Sequence, residues 1–452
     1  MINLPKNVLS AISMLEYAGF EAFAVGGCVR DSLLGKEVND FDLTTSAFPE
    51  ETKKVFQDFN VYETGIKHGT VTVMFDGEPL EITTYRIDGK YSDNRHPESV
   101  TFTRNIEDDL ARRDFTVNAL AYNPKIGIVD PFGGVDDLNN GVIRAVGGAD
   151  KRFSEDALRI LRCVRFASTL DFEIEKDTAE SAKKLSYLLD NVSKERIFSE
   201  LKKLVCGKNV FKILTDFSEI ITRIVPELSS CVGFEQNNKY HIYDVYTHTA
   251  KSVSASENNL LVRLALLYHD CGKPFVYSED EKGCGHFFGH PEKSAELAEK
   301  SLLNLKCDNK TLERVKTLVK YHDYKLEPTK KSMKKFLTKV SFDEARLIVK
   351  VKFGDMSAHA PQYAMSKKLE KEYLSLIDEI EHDGECVSLK NLAVNGQDLF
   401  CLGIPKGRIM GDILNTLLSE VVSEKIPNEK DPLLKKANEL FEQSNKNQNS
   451  TD

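Results

Sequence analysis

What this chain lacks narrows its function before any motif is considered. It has no basic excess: 61 Lys and Arg against 70 Asp and Glu leave a formal net charge of -9 over 452 residues. A surface that is basic all over is therefore excluded, and a nucleic-acid partner must be met by local patches. The nine cysteines include no CxxC pair, which suits reduced thiols in a cytoplasmic protein. The opening "MINLPKNVLSAISMLEYAGF" holds no sustained apolar segment and no small-residue cleavage signal. With no long apolar run elsewhere, the expectation is a cytoplasmic monomer with no membrane partner. Internal repeats and extended low-complexity linkers are missing too. The length exceeds one compact core and predicts about two to four domains.

What is present has an α+β pattern. Up to residue 148 a helical opening and Gly-rich turns alternate with β-branched runs such as "HGTVTVMF" and "PLEITTYR", the text of a sheet with helices. From "GGADKRFSEDALRILRCVRFAS" onward, apolar residues recur at helical spacing. Boundaries fall at Gly147-Gly148 and near Cys206-Gly207. The expected division is 1–148, 149–206, 207–370 and 371–452, with the polar end "EQSNKNQNSTD" frayed.

The first half carries an acidic and anion-binding constellation. In "VNDFDLTT" Asp40 and Asp42 stand two apart in a run expected to be a strand, where they would share a face and could hold one or two Mg2+ ions. An edge strand bearing acids against aggregation fits the same text. Just upstream, "AVGGCVRDSLLG" offers Gly26 and Gly27 before a helix N-terminus, with Arg30 as a further donor to phosphate. A turn alone would also explain the glycines. "EITTYR" adds Glu81, a third acid for the metal or a base toward a ribose hydroxyl, or else a surface strand residue. "DDLARRDFTVNALAY" adds Arg112, Arg113, Asp114 and Asn118 at a turn into a helix, a place for phosphate or simply for a capped helix start.

Taken in order, "GGCVRD", "NDFDLTT", "RRDFTVNALAY" and "EDALRILRCVRFA" resemble the bacterial class II tRNA nucleotidyltransferases, the CCA-adding enzymes, and their relatives the bacterial poly(A) polymerases. The resemblance implies a nucleotidyltransferase head of β-sheet and helices, then a helical neck, body and tail. It implies that Asp40 and Asp42 bind Mg2+, that Gly27, Arg30 and Arg113 contact the incoming nucleotide, and that Glu81 matches a strand acid near that site. The partners implied are CTP, ATP and the acceptor end and elbow of tRNA. On the segment carrying "EDALRILRCVR", Asp156 and Arg159 are expected on one helix face, as i, i+3 neighbours. A carboxylate accepts from the exocyclic amine shared by cytosine and adenine, and a guanidinium donates to their ring acceptors. The resemblance assigns the choice of base to this pair and extends the basic face through Arg162 and Arg165. An amphipathic helix with i, i+3 ion pairs fits the same residues. Arg196 and Glu200 in "SKERIFSEL" match a neck motif and are expected to support that helix. "YRIDGKYSDNRHPESVTF" resembles the loop used by enzymes that complete CCA, its length favouring full CCA addition over A-only, CC-only or poly(A) synthesis.

The second half holds His248, His269, Asp270, His290, His322 and Asp355, in "YTHT", "LLYHDCGKP", "GHPEKSA", "KYHDYK" and "FGDMSAH". Imidazoles and carboxylates together suit a divalent metal whose open position generates hydroxide for phosphoester hydrolysis. The order H…HD…H…H…D resembles the HD phosphohydrolase domain. By that resemblance His248, His269, Asp270 and Asp355 are core ligands of a metal of unassigned identity, and His290 and His322 are auxiliary ligands. Phosphatase or 2',3'-cyclic phosphodiesterase activity is implied. A metal-dependent phosphohydrolase with an RNA-binding head is the rival reading. For RNA, "PTKKSMKKFLTK" with Lys334 and Lys335, and "IPKGR" with Lys406 and Arg408, are the candidate contacts, although a solvated helix face also accounts for the lysines.

Overall fold

A computed structural model describes residues 2–75, 77–89 and 99–448. Contacts divide the chain into two compact units, Met1–Ser229 with Asn304–Cys307, and Ser230–Leu303 with Asp308–Asp452.

The first unit begins with helix α1 (Lys6–Tyr17), strand β1 (Ala22–Val25), α2 (Gly27–Leu33), β2 (Leu43–Thr45) and α3 (Pro49–Val55). Strands β3 (Val61–Gly65), β4 (Thr70–Phe75) and β5 (Glu78–Thr84) follow, then the short pair β6 (Arg86–Asp88) and β7 (Val100–Phe102), α4 (Ile106–Ala111), β8 (Ala121–Asn123), β9 (Gly127–Val129) and α5 (Gly134–Asn139). Seven strands form one sheet in the order β3-β4-β5-β2-β1-β8-β9. Only β2 and β5 run parallel among its named pairs, with Leu43 opposite Ile82. Period two distributes the core: Ala22 and Ala24 join Leu15, Leu43, Val71 and Ile82 on one face, while Phe23 and Val25 join Tyr85, Leu110 and Ala121 on the other. Buried on both faces, β1 has no polar side chain to place.

Two sequence expectations change here. Asp40 and Asp42 precede β2 rather than lying within a strand. The Asp42 carbonyl accepts from the Val25 N–H at 3.0 Å, so the chain runs beside β1, but regular pairing starts at Leu43, where the aspartates no longer compete for backbone bonds. The base-selecting segment is also not one helix. It comprises α6 (Ala149–Glu155) and α7 (Leu158–Leu170), separated by Asp156 in an extended conformation, φ -132 and ψ 105. The Asp156 carboxylate accepts from the Leu158 N–H at 3.0 Å, so the residue starts a helix instead of sitting inside one.

Helices α8 (Lys176–Lys184), α9 (Lys194–Val205), α10 (Val210–Asp216) and α11 (Ser218–Ile224) complete this unit. The apolar stripes of α7 (Ile160, Leu161, Val164) and α9 (Ile197, Leu201, Leu204) are buried and pack together.

The second unit is helical: α12 (Val245–Ala255), α13 (Leu260–Tyr268), α14 (His290–Asn304), α15 (Asn309–Tyr321), α16 (Lys330–Leu337), α17 (Phe342–Met356), α18 (Lys367–His382), α19 (Gly396–Cys401), α20 (Arg408–Val422) and α21 (Lys430–Gln448). Helix α13, "LLVRLALLY", is buried from Val262 to Tyr268 and packs against α12, α15 and α17. Apolar residues of α19, α20 and α21, among them Leu399, Leu417 and Leu433, form a separate core. Among the described residues no helix is long and apolar enough to cross a membrane.

Candidate functional site

The first unit gathers its acids and arginines around the end of β1. Gly26 turns the chain into α2 at φ +80, and a Cβ there would meet Arg113 Nη1 at 2.7 Å. Glycine thus both permits the turn and makes room for a guanidinium over the backbone. Arg113 reaches Asp109 at only 3.4 Å, and its Nε is buried without a hydrogen-bond partner. Unused donors of a desolvated guanidinium are what an anion would satisfy. Arg30 is committed instead: it donates to Asn118 Oδ1 and forks onto Asp31 at 3.0 and 2.6 Å. It braces the turn beside Gly27.

Glu81 faces away from the core on β5, between buried Leu80 and Ile82. Because Leu43 pairs with Ile82, the residues one step earlier on each chain are Asp42 and Glu81. Poor hydration first, then the Asp40 and Glu81 charges, raises the Asp42 carboxyl above its ordinary range, with Arg113 opposing. Crowded carboxylates that repel one another fit a divalent cation, which would offset that repulsion. The three do not converge into a closed set of ligand atoms within 4.8 Å.

A polar relay runs from this turn to α7. Arg30 holds Asn118, Asn118 donates to Asp114 Oδ1 at 3.0 Å, and Arg162 donates to Asp114 Oδ2 from Nε at 2.8 Å and lies within 2.6 Å of it through Nη2. The guanidinium groups of Arg30, Arg162 and Arg165 all lie over the Phe166 ring, at 5.0, 5.2 and 3.4 Å. Burial alone would raise the Asp114 carboxyl, but Arg162, Asn118 and Arg159 outweigh it and hold the pKa down to about 2. A depressed folded-state pKa contributes stability that is complete above the unfolded value and lost as pH falls through the folded one. Asp114→Asn is therefore expected to cost about 2 kcal/mol at pH 7. The gap from wild type should narrow steadily below about pH 4, as urea titrations across that range would show.

Asp156 and Arg159 do not pair with one another. Arg196 on α9 reaches Asp156 Oδ2 at 2.9 Å, and Arg159 donates to Glu155 at 2.7 Å and to the Arg112 carbonyl at 2.8 Å. Arg196 and Glu200 each reach from α9 to the α6–α7 segment, Arg196 to Asp156 and Glu200 to Arg165 at 2.7 Å, the latter with both side chains buried. Sequence reasoning missed Asp109, a fully buried acid whose Oδ1 accepts twice from Arg112 and whose Oδ2 accepts from Arg113, although its i+3 and i+4 arginines signalled it. Glu155, which joins Arg152 and Arg159, was also missed.

In the second unit the histidine and aspartate residues converge. His248 on α12, His269 and Asp270 after α13 and Asp355 on α17 bring ligand atoms within 4.8 Å of one another, and Asp270, His290 and His322 form a second such group. His269, His290 and His322 each donate Nδ1–H to the carbonyl three residues earlier, Leu266, Phe287 and Val319, at 2.7, 2.9 and 2.7 Å. This fixes the tautomer and aims every Nε2 inward. Nε2 of His290 then stands 3.2 Å from Nε2 of His322. Burial lowers the His322 pKa to about 3. Burial opposes charge on His269 as well, but Asp270 and Asp355 push it up to about 10. This donor set fits divalent metal. His241, His359 and Lys273 were not predicted: His359 lies 3.3 Å from Asp355, and Lys273 lies 2.7 Å from Asp270 and 3.2 Å from His241. Lys273 was legible in "HDCGK"; the lone histidines carried no signal. A cavity of about 590 Å³ opens onto the cluster, lined also by Tyr240, Lys325 and Lys352.

Of the RNA-contact candidates, Lys334 is buried and ion-paired with Glu385 and Glu424 at 2.9 and 2.8 Å. It ties α16 to later segments and is not presented to a phosphate backbone. Lys335, Lys406 and Arg408 are exposed. Residues 90–98 of the expected CCA loop and the last four residues of the polar end lie outside the described residues.

Three family models match this chain: "Poly A polymerase head domain" over residues 22–144, "Probable RNA and SrmB- binding site of polymerase A" over 171–231, and "tRNA nucleotidyltransferase domain 2 putative" over 287–437. The CCA-adding enzyme of Ligilactobacillus salivarius is 35% identical over 98% of both chains, and that of Lactobacillus helveticus is 35% identical over 96% of both. A crystal structure of the Bacillus stearothermophilus CCA-adding enzyme in complex with CTP is 28% identical, with TM-score 0.74 over 97% of this chain and 98% of that one. The Thermotoga maritima CCA-adding enzyme complexed with tRNA shares the fold, at 21% identity and TM-score 0.61 over 96% of each chain. Likeness along the full length, together with a head built as described, makes this chain a member of the bacterial CCA-adding enzyme and poly(A) polymerase family of tRNA nucleotidyltransferases.

Proposed function

We propose that the protein adds C, C and A to the 3' end of tRNA from CTP and ATP, releasing pyrophosphate. The observation that carries this reading is the continuity of the first site. The Arg159 guanidinium rests on the carbonyl of Arg112, its neighbour Arg113 lies over Gly26, and the Arg113 charge acts on Asp42. Base reader, phosphate reader and metal acids thus adjoin one another. The primer hydroxyl attacks the α-phosphate in line. Asp40 and Asp42, with Glu81 beside them, would hold Mg2+, which would supply activation of that hydroxyl and neutralise the developing charge. Arg113 binds the triphosphate with donors that are otherwise unsatisfied. Asp156 accepts the exocyclic amine of C or A on lone pairs left free by Arg196, and Arg159 exchanges Glu155 for the ring acceptors. Asp156→Ala is expected to lower the preference for C and A over U and G by about tenfold or more, read from competing nucleotides on tRNA lacking its last residue.

Incubating the protein with tRNA lacking CCA, Mg2+ and CTP, ATP or both tests the main reading. Ordered C-C-A extension that then stops supports it. Runs of A alone would instead mark a poly(A) polymerase, and arrest after one type of addition an A-only or CC-only enzyme. No incorporation would leave a phosphohydrolase with an RNA-binding head.

The second site supports an HD-type metal-dependent phosphohydrolase activity, phosphatase or 2',3'-cyclic phosphodiesterase. Support comes from the inward Nε2 atoms and the buried Asp270 and Asp355, both held well below the carboxylate range, against the pull of burial, by their histidine partners and, at Asp270, by Lys273 as well. His248, His269, Asp270 and Asp355 would hold a divalent ion, which would supply hydroxide at neutral pH. Lys273 and Lys352 line the cavity and offer charge to a phosphate.

A further inference from the structure

A short hairpin in the second unit carries a cluster that neither site uses. Ser278–Glu279 pairs antiparallel with Gly285–His286, and the turn between them brings one ligand atom each of Asp280, Cys284 and His286 within 4.8 Å of one another. His286 Nε2 stands 3.3 Å from Asp280 Oδ2. Two ligands about 2.0–2.1 Å from a tetrahedral ion lie about 3.3 Å apart, so this edge already has the length that zinc requires.

The cluster is held in place by its own loop. Asp280 Oδ1 accepts the N–H groups of Lys282 and Cys284, each at 2.9 Å. That leaves Oδ2 free to face the cluster, and the same N–H groups hold the carboxyl below its ordinary range. Gly285 donates to the Asn237 carbonyl at 2.9 Å, and a Cβ on it would meet the Gln236 carbonyl at 2.3 Å. The hairpin is therefore pressed onto the chain beside it, with the His286 ring stacked on Phe288 at 5.5 Å.

We propose that Asp280, Cys284 and His286 form a three-ligand Zn2+ site with one open position. A thiolate and an imidazole beside a single carboxylate select a borderline-soft ion over Mg2+. As the sulfur–metal bond forms, the Cys284 thiol proton leaves to solvent. Cys284, Gly285, His286, Phe287 and Phe288 line the cavity of the histidine cluster, so an ion here fixes one wall of it. The site shares no ligand with that cluster and stands whether or not the cluster hydrolyses anything.

Cobalt(II) titration of the full-length protein tests this, because only a sulfur ligand gives a thiolate-to-cobalt charge-transfer band in the near ultraviolet. The histidine cluster offers nitrogen and oxygen alone. The band is expected in wild type and in His269→Ala, should be displaced by equimolar Zn2+, and should vanish in Cys284→Ser. His286→Ala should weaken Co2+ about tenfold or more. Wild type without the band would overturn the proposal, as would a band that survives in Cys284→Ser and so belongs to another thiol such as exposed Cys401.

Discussion

Asp42→Ala is expected to reduce nucleotide incorporation about a thousandfold, since removing a metal-holding carboxylate forfeits several kcal/mol of transition-state charge stabilisation and each ~1.4 kcal/mol is tenfold. The size follows from position. Burial, and then the Asp40 and Glu81 charges, disfavour ionisation of Asp42 while Arg113 opposes them, and that crowding of carboxylates marks where a cation is stabilising. The hydrolysis and metal uptake proposed for the histidine cluster should be unchanged in the same variant. His269→Ala should do the reverse, losing hydrolysis and keeping incorporation. The measurement is paired assays on both variants, with folding checked by circular dichroism. A folded variant that lost both activities would mean that the two sites are not independent.

Much of this arrangement was legible because it is local in the chain. The turn at Gly26, the acids before β2 and the alternation that turns Glu81 out of the core follow from spacing of a few residues and from period two. The break at Asp156 was not legible. "SEDALRIL" is helical by propensity, and an aspartate that caps the next helix looks the same as one inside it until its carboxylate is seen on the Leu158 N–H. Partners separated by 35 or 40 residues, Glu200 for Arg165 and Arg196 for Asp156, were equally hidden. Each is an ordinary i, i+3 or i, i+4 candidate on its own helix, and only the packing of α7 on α9 redirects it. Lys334 shows the same limit from the other side: a lysine-rich run predicts a solvated face, yet one of its ammonium groups is buried against two glutamates. Charge in a sequence indicates neither its partner nor its depth.

Glu200→Ala is expected to be among the most destabilising single substitutions in the first unit. It would strand the buried Arg165 guanidinium, whose own pKa burial already lowers against the support of Glu200. Leaving one partner of a buried pair without the other typically costs about 3–5 kcal/mol. The chain packs as two compact units, so one global unfolding midpoint would blur the effect, and the better measurement is amide hydrogen exchange along α7 and α9. Protection there should fall about a hundredfold or more, with the head sheet less affected. Replacing both partners, Arg165→Met with Glu200→Leu, should restore most of the protection, because the ion pair itself contributes little net stability once desolvation is counted. The double variant should nevertheless differ from wild type in function. Arg165 belongs to the stack of guanidinium groups on Phe166, and Arg162, its neighbour there, is the end of the relay that runs through Asp114 to Arg30. Loss of Arg165 alone should therefore raise KM for nucleotide even where the helices are repacked and stable. A double variant with wild-type protection and wild-type KM would reduce Arg165 and Glu200 to scaffolding, and a Glu200→Ala protein whose exchange matched wild type would show that the buried pair does not hold α7 to α9.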